Sequence, residues 1–155
     1  MRILHAKSGK YHEVKIVPIE KKEWRLIEES KRFEFDWNKE KQHTVYLLKL
    51  VVEEKLLGIV AVVDIPKEFR LHIQLIENSK SNIGKKKEYD FVAGCMLAFV
   101  CNLAVEKGYD GFVSLEPKTK LENLYREKYG FNAMGKLFYS SLENSLLLIK
   151  KYLEL

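Results

Sequence analysis

Cysteine is nearly missing from this chain: Cys95 and Cys101 are the only two among 155 residues. Both fall on one apolar helical stretch and face different directions, so neither an intrachain disulfide nor a paired metal-ligand spacing is expected. They read as small core residues. Proline is equally sparse, at three residues. No repeat, low-complexity tract or linker divides the sequence, so residues 1–155 are expected to form one domain, burying roughly two-thirds of the surface the unfolded chain exposes. No apolar run approaches the ~18 residues that a membrane span requires. The N-terminus, Met1-Arg2-Ile3-Leu4-His5, turns polar at Lys7-Ser8-Gly9-Lys10 before an apolar core can form, which argues against a signal peptide. A cytoplasmic protein with no membrane attachment is the expectation.

What is abundant is apolar and charged residues, 46% and 32% of the chain. The net charge of +5 and pI near 9.0 favour an anionic partner, but coenzymes, nucleic acid and membrane surfaces are all anionic. Aromatic and basic residues do not interleave as they do on nucleic-acid-binding surfaces.

Periodicity orders the elements. Tyr11 to Ile19 alternates polar and β-branched residues and reads as an edge or near-edge strand ended by Pro18. Lys21 to Phe33 reads as an amphipathic helix, with Trp24, Ile27 and Lys31 on one face. Thr44–Val52 and Lys55–Ile65 are β-branched runs parted by Glu53-Glu54, the pattern of a hairpin, and Gly58 marks a bulge or a close backbone approach. Arg70–Glu77 alternates again, with Leu71, Ile73 and Leu75 on one face and His72, Gln74 and Ile76 on the other. A polar loop from Asn78 to Asp90 then leads to a helix that is apolar nearly all round, capped by Asp90 and stopped at Lys107-Gly108. Gly111–Leu115 is a short strand. Thr119-Lys120-Leu121-Glu122 has the form of a capping box for a helix that Gly130 stops. Phe131–Ser140 reads as one strand and Leu142–Leu153 as a last helix. The fold class is α/β (α+β): a mixed, mostly antiparallel sheet flanked by helices, with a βαβ unit near its end.

This order of elements, together with Tyr89 to Phe131, resembles the GNAT family of acyl-CoA N-acyltransferases. In that family a loop written Arg or Gln, two residues, Gly, one residue, Gly or Ala opens the helix that cradles the coenzyme pyrophosphate. Here Tyr89-Asp90-Phe91-Val92-Ala93-Gly94-Cys95 stands there, with Gly94 at the last small position, Val92 in place of the first glycine and Tyr89 in place of the basic residue. The resemblance implies acetyl-CoA held by the backbone N–H groups of Val92, Ala93, Gly94 and Cys95, since a helix first turn offers free donors and positive dipole. Lys87, with Lys85 and Lys86, can reach phosphates or form a solvated charged run. The backbone of Leu75 and Ile76 would hold the pantetheine arm and carbonyl, and Thr119 stands where an asparagine contacts that arm. No metal is implied.

The same resemblance supplies a tyrosine, separated by three residues from a Gly-Phe pair, which protonates the departing thiolate. In this chain Arg126 fills that slot and Tyr125 stands one residue earlier, so Tyr125 reaches the thiol only if its helix is shifted or one residue longer. Glu77, at a strand end, is the expected acceptor of the ammonium proton, with His72 as the alternative. Phe35 and Trp37, within Phe33-Glu34-Phe35-Asp36-Trp37, either line a pocket for a cationic or aromatic amine or bury themselves against the sheet. The implied activity is transfer of an acetyl group from acetyl-CoA to a primary amine by direct attack in a ternary complex. Small amines, protein amines and aminoacyl-tRNA remain open as acceptors. The competing reading is a catalytically inactive module of the same fold that binds acyl-CoA or a protein. The apolar C-terminal helix can pack on its own sheet or on a second copy as a homodimer.

Overall fold

The computed structural model describes residues 1–154. Its strands are β1 (Arg2–His5), β2 (Tyr11–Pro18), β3 (Thr44–Leu50), β4 (Leu56–Ile65), β5 (Arg70–Asn78), β6 (Tyr89–Asp90), β7 (Val113–Leu115), β8 (Asn132–Met134) and β9 (Leu137–Ser140). The α-helices are α1 (Glu23–Ser30), α2 (Val92–Glu106) and α3 (Leu142–Tyr152). The strands form one sheet in the order β6-β1-β2-β3-β4-β5-β7-β9-β8. Every pairing is antiparallel except β5 with β7. The fold is therefore the mixed, mostly antiparallel sheet with flanking helices that the periodicity indicated.

Two apolar clusters sit on opposite faces of this sheet. The larger gathers α2, α3 and inward residues such as Leu48, Val60, Val62, Leu71 and Ile73, while the smaller gathers Ile27, Phe33, Trp37, Val45, Leu47, Ile59 and Ala61 beneath α1. Helix α2 is apolar nearly all round because it lies against the sheet on one side and α3 on the other. Cys95 and Cys101 are free thiols in that interior, and burial pushes them up to about 12 and about 11, so both are inert.

Several local expectations are corrected. The N-terminal residues, too few to show a period, form β1 and pair with both β2 and β6. That pairing holds Asp90 in a strand opposite Leu4, so it does not cap α2; Phe91 precedes the helix at φ 80° and offers no side-chain cap. Strain at a β-branched Val92 is thereby avoided and falls on Phe91 instead. Thr119 is not an N-cap either: it opens a 3-10 turn, Thr119–Leu121, that no side chain caps. Phe131–Ser140 is not one strand but the hairpin β8–β9, turning at Gly135, whose φ is +63°. Near Gly58 both anticipated features occur: the β3–β4 register slips beside it, and a Cβ on it would come within 2.8 Å of Met96 on α2.

The largest departure is in β5. Ala61 pairs with Leu75 and Val62 with Ile73, which leaves Gln74 as a one-residue bulge. Side-chain parity flips there. Leu71 and Ile73 join the α2 cluster, but Leu75 packs into the α1 cluster, so the expected common face of these three residues does not exist.

Helices α2 and α3 lie side by side, and Gly94 is the close point. A Cβ at Gly94 would stand 2.3 Å from the ring of Tyr152, which is 1% exposed. Gly94→Ala is expected to overpack this contact by about 1–3 kcal/mol and to lower Tm by several degrees. In a thermal-denaturation cycle Tyr152→Ala should cancel part of the added penalty, and strict additivity would refute the contact.

Candidate active site

The site is defined by where β5 loses its partner. Strand β7 pairs with β5 only from Leu71 to Ile73 and ends at Leu115, so β5 from Gln74 onward has no strand on that side. Leu75 and Ile76 lie on this open edge, immediately after the bulge. Unpaired strand backbone is a ready partner for an extended, amide-bearing ligand. The two residues expected to hold the pantetheine arm thus lie on a free backbone edge.

Beyond β5 the chain returns through the turn at Lys80–Asn82 to β6 and α2. Asn82 is buried, and its side chain accepts the Tyr89 N–H at 2.7 Å, fixing the approach to the helix. The first-turn N–H groups of Val92, Ala93 and Gly94 have no intrahelical acceptor. Cys95 differs from its expected role, because its N–H already donates to the Phe91 carbonyl at 2.9 Å. Gly94 contributes its N–H toward the helix axis, while the lateral space its missing side chain leaves is filled by Tyr152.

Three lysines converge near this turn. Lys87 pairs with Asp90 at 2.5 Å. Partial burial and the charges of Lys87 and Lys151 hold the Lys128 ammonium below its ordinary value, against the opposing pull of Asp90. An anion here would relieve a mutual repulsion among cations that share a single nearby carboxylate. Sequence reading found Lys87 but missed Lys128 and Lys151, which lie about 40 and 60 residues away along the chain and carry no local motif.

Tyr125 belongs to a π-helical turn, Leu124–Lys128. A π-turn bonds i to i+5 rather than i+4, so it absorbs one extra residue. The one-residue lengthening that the sequence demanded for Tyr125 is what this turn supplies. Phe131 N–H closes it by donating to the Tyr125 carbonyl at 3.0 Å, and Gly130 takes φ 71° to allow the exit. The ring is 8% exposed and packs on Tyr129 and Phe131, with centroids 6.0 and 5.8 Å away. Burial pushes its phenol up to about 12, so it stays protonated at neutral pH. Arg126, in the expected tyrosine slot, points elsewhere, toward Phe138 and Asn123.

On the opposite face lies Glu77, 7% exposed. Its Oε2 accepts the Glu34 N–H at 2.6 Å, and its Oε1 accepts the Phe35 N–H at 3.3 Å and the Trp37 indole N–H at 2.9 Å. The strand-end carboxylate expected to take a proton from the ammonium is thus held by three donors of one loop. Trp37, 2% exposed, is spent on this bond and on the core. Phe35 remains half-buried, with the Lys118 ammonium 4.2 Å from its ring centre. A cavity of about 380 Å³ opens beside it, lined among others by Trp24, Glu28, Glu34, Phe35 and Asp36. His72 lies on the same face. Its Nδ1 is 2.9 Å from Ser114 Oγ, and burial first, then the Arg70 guanidinium, lowers its pKa, so it is neutral at pH 7.

No family model matches the sequence, and no curated protein does. Solved structures do match. The spermidine/spermine N-acetyltransferase SpeG from Vibrio cholerae, in complex with manganese ions, superposes at TM-score 0.64 with 14% identity, covering 86% of this chain and 95% of that one. The aminoglycoside acetyltransferase AAC(6')-Ib in complex with coenzyme A gives 0.62 at 10% identity over 85% and 96% of the two chains. An IAA acetyltransferase from Bacillus cereus ATCC 14579 gives 0.57 at 14% identity over 79% of each. At such identities what is shared is the architecture, the same one that the element order and the Tyr89–Phe131 segment resembled: this chain has the GNAT acetyltransferase fold.

Proposed function

We propose that the protein is an acetyl-CoA-dependent N-acetyltransferase acting on a primary amine by direct attack in a ternary complex. The observation that carries this reading is the π-turn. It aims a buried, protonated Tyr125 into the same cluster as the first turn of α2, despite a sequence register that is off by one. A module that only bound a ligand would have no use for such a rarely formed turn at that place.

Acetyl-CoA fits the residues present. The open edge of β5 at Leu75 and Ile76 would take the pantetheine amides, and Val92, Ala93 and Gly94 N–H groups would take the pyrophosphate along the helix axis. Lys87, Lys128 and Lys151 would add point charges for phosphate oxygens. When bound, the coenzyme supplies an acetyl thioester and a thiolate leaving group. The amine nitrogen forms the new C–N bond as the C–S bond breaks, its proton passes to water, and the Tyr125 hydroxyl delivers a proton to sulfur. Thr119, in a 3-10 turn and exposed, is available to the pantetheine arm as a hydrogen-bonding side chain rather than as a cap. The half-buried Phe35, with Glu28, Glu34 and Asp36 close by, suits a cationic acceptor.

Three outcomes test this reading. Coenzyme A at ~100 Kd should stabilise the protein by about 2.7 kcal/mol, and a thermal melt unmoved by millimolar coenzyme would sink it. Lys128→Gln should weaken that shift while leaving the melt without ligand nearly unchanged. Tyr125→Phe should slow thiol release roughly 10²–10⁴-fold across an amine panel while keeping the coenzyme-induced shift.

A further inference from the structure

Glu77 is a carboxylate in the acceptor half of the site, and all its observed partners are donors from one loop. A carboxylate offers about four acceptor positions. Glu77 has three filled, by the backbone N–H groups of Glu34 and Phe35 and the indole N–H of Trp37. These bonds tie both oxygens of a side chain that is 7% exposed to the backbone and indole of a single loop. That is the geometry of a group that holds a loop.

The loop it holds has no regular structure of its own between α1 and the turn at Trp37–Glu40. Phe33 and Trp37 sink into the apolar cluster beneath α1 and fix its two ends. Between them Glu34, Phe35 and Asp36 border the cavity, with Asp36 accepting the Asn38 N–H at 3.2 Å to start the turn. The Phe35 ring reaches Lys118, in the segment after β7, so the loop spans the gap where β5 and β7 part.

Resting on the transferase reading above, we infer that Glu77 is a positioning residue for the acceptor. Its carboxylate fixes Phe33–Trp37 so that Phe35 presents a ring face to a cationic amine beside the open edge of β5. The position that Lys118 Nζ occupies over that ring marks where an acceptor ammonium would dock. Glu77 therefore governs acceptor affinity and leaves proton transfer to water.

The test uses the full chain with Glu77→Gln, which keeps one acceptor oxygen, and Trp37→Phe, which removes a single donor. Amide hydrogen exchange at Glu34 and Phe35 should accelerate about tenfold or more in Glu77→Gln, while sheet amides keep their protection. Unchanged exchange there overturns the inference whether or not any amine is turned over. In thiol-release assays with 1,4-diaminobutane, benzylamine and a lysine peptide amide as probes, Glu77→Gln should raise the acceptor KM about tenfold. Its kcat should stay within about threefold and the pH–rate profile should keep its shape. Loss of kcat by about 100-fold at constant KM, with the acidic limb gone, would instead make Glu77 the base and overturn the inference. Should Glu77→Gln fail to fold, Trp37→Phe carries the same test in the same direction. The coenzyme-induced thermal shift is read separately, so failure of the acceptor assignment is distinguishable from failure of the transferase reading.

Discussion

A single extra residue in β5, Gln74, sets the geometry on which the site depends. Strand side chains alternate with a period of two, so one unpaired residue exchanges the faces of everything that follows. Without the bulge Leu75 and Glu77 would point with Leu71 and Ile73 into the α2 cluster, and a carboxylate would be forced into an apolar interior with no donors. With it, Leu75 meets Ala61 on the α1 side and Glu77 meets the donors of the aromatic loop. The bulge also falls where the pairing of β5 with the short β7 ends, just past Ile73 and Leu115. One residue at the start of the open edge thus chooses which face the last carboxylate of β5 serves.

The π-turn at Leu124–Lys128 is the helical counterpart of that bulge. It too stores one residue more than the regular element would hold, and its poorer hydrogen bonding has to be offset by burial. Tyr125, Tyr129 and Phe131 supply this, at 8%, 5% and 1% exposure. Fully burying such a ring stabilises by roughly 1.5–3 kcal/mol, enough to fix a turn that an isolated peptide would not adopt. Strand β5 and the turn that carries Tyr125 therefore hold matching one-residue irregularities.

This explains what the sequence made legible. Long periodic runs gave β2 through β5, α2 and α3 with nearly correct limits, because burial of one face is recorded in every third, fourth or second residue. One-residue insertions leave no such record. Gln74 is an unremarkable polar residue in an alternating strand, and the Tyr125 offset reads from sequence alike as lost function or as a π-turn. Gly94 illustrates a different limit. The sequence marked it as the small position of a coenzyme loop, but the ring that packs against it, Tyr152, lies 58 residues further on. Likewise Asp90 has the right chemistry for a cap, yet pairing of β6 with β1 claimed it first.

Tyr152 also constrains how an anion can reach α2. The direction of a missing Cβ is lateral to the helix, whereas the first-turn N–H groups point along the axis. By filling the lateral space at Gly94, α3 closes the side approach and turns a glycine that could serve a flexible loop into part of a rigid helix pair. The free N–H groups and the positive end of the dipole are then left open along the axis, and Lys87, Lys128 and Lys151 lie close enough to feel one another's charge. Positioning of this kind depends on packing and dipole rather than on a glycine-rich motif. Val92 can therefore stand where a glycine would otherwise be needed: the left-handed residue is Phe91, one step outside the helix, and Val92 itself is free to take ordinary helical angles.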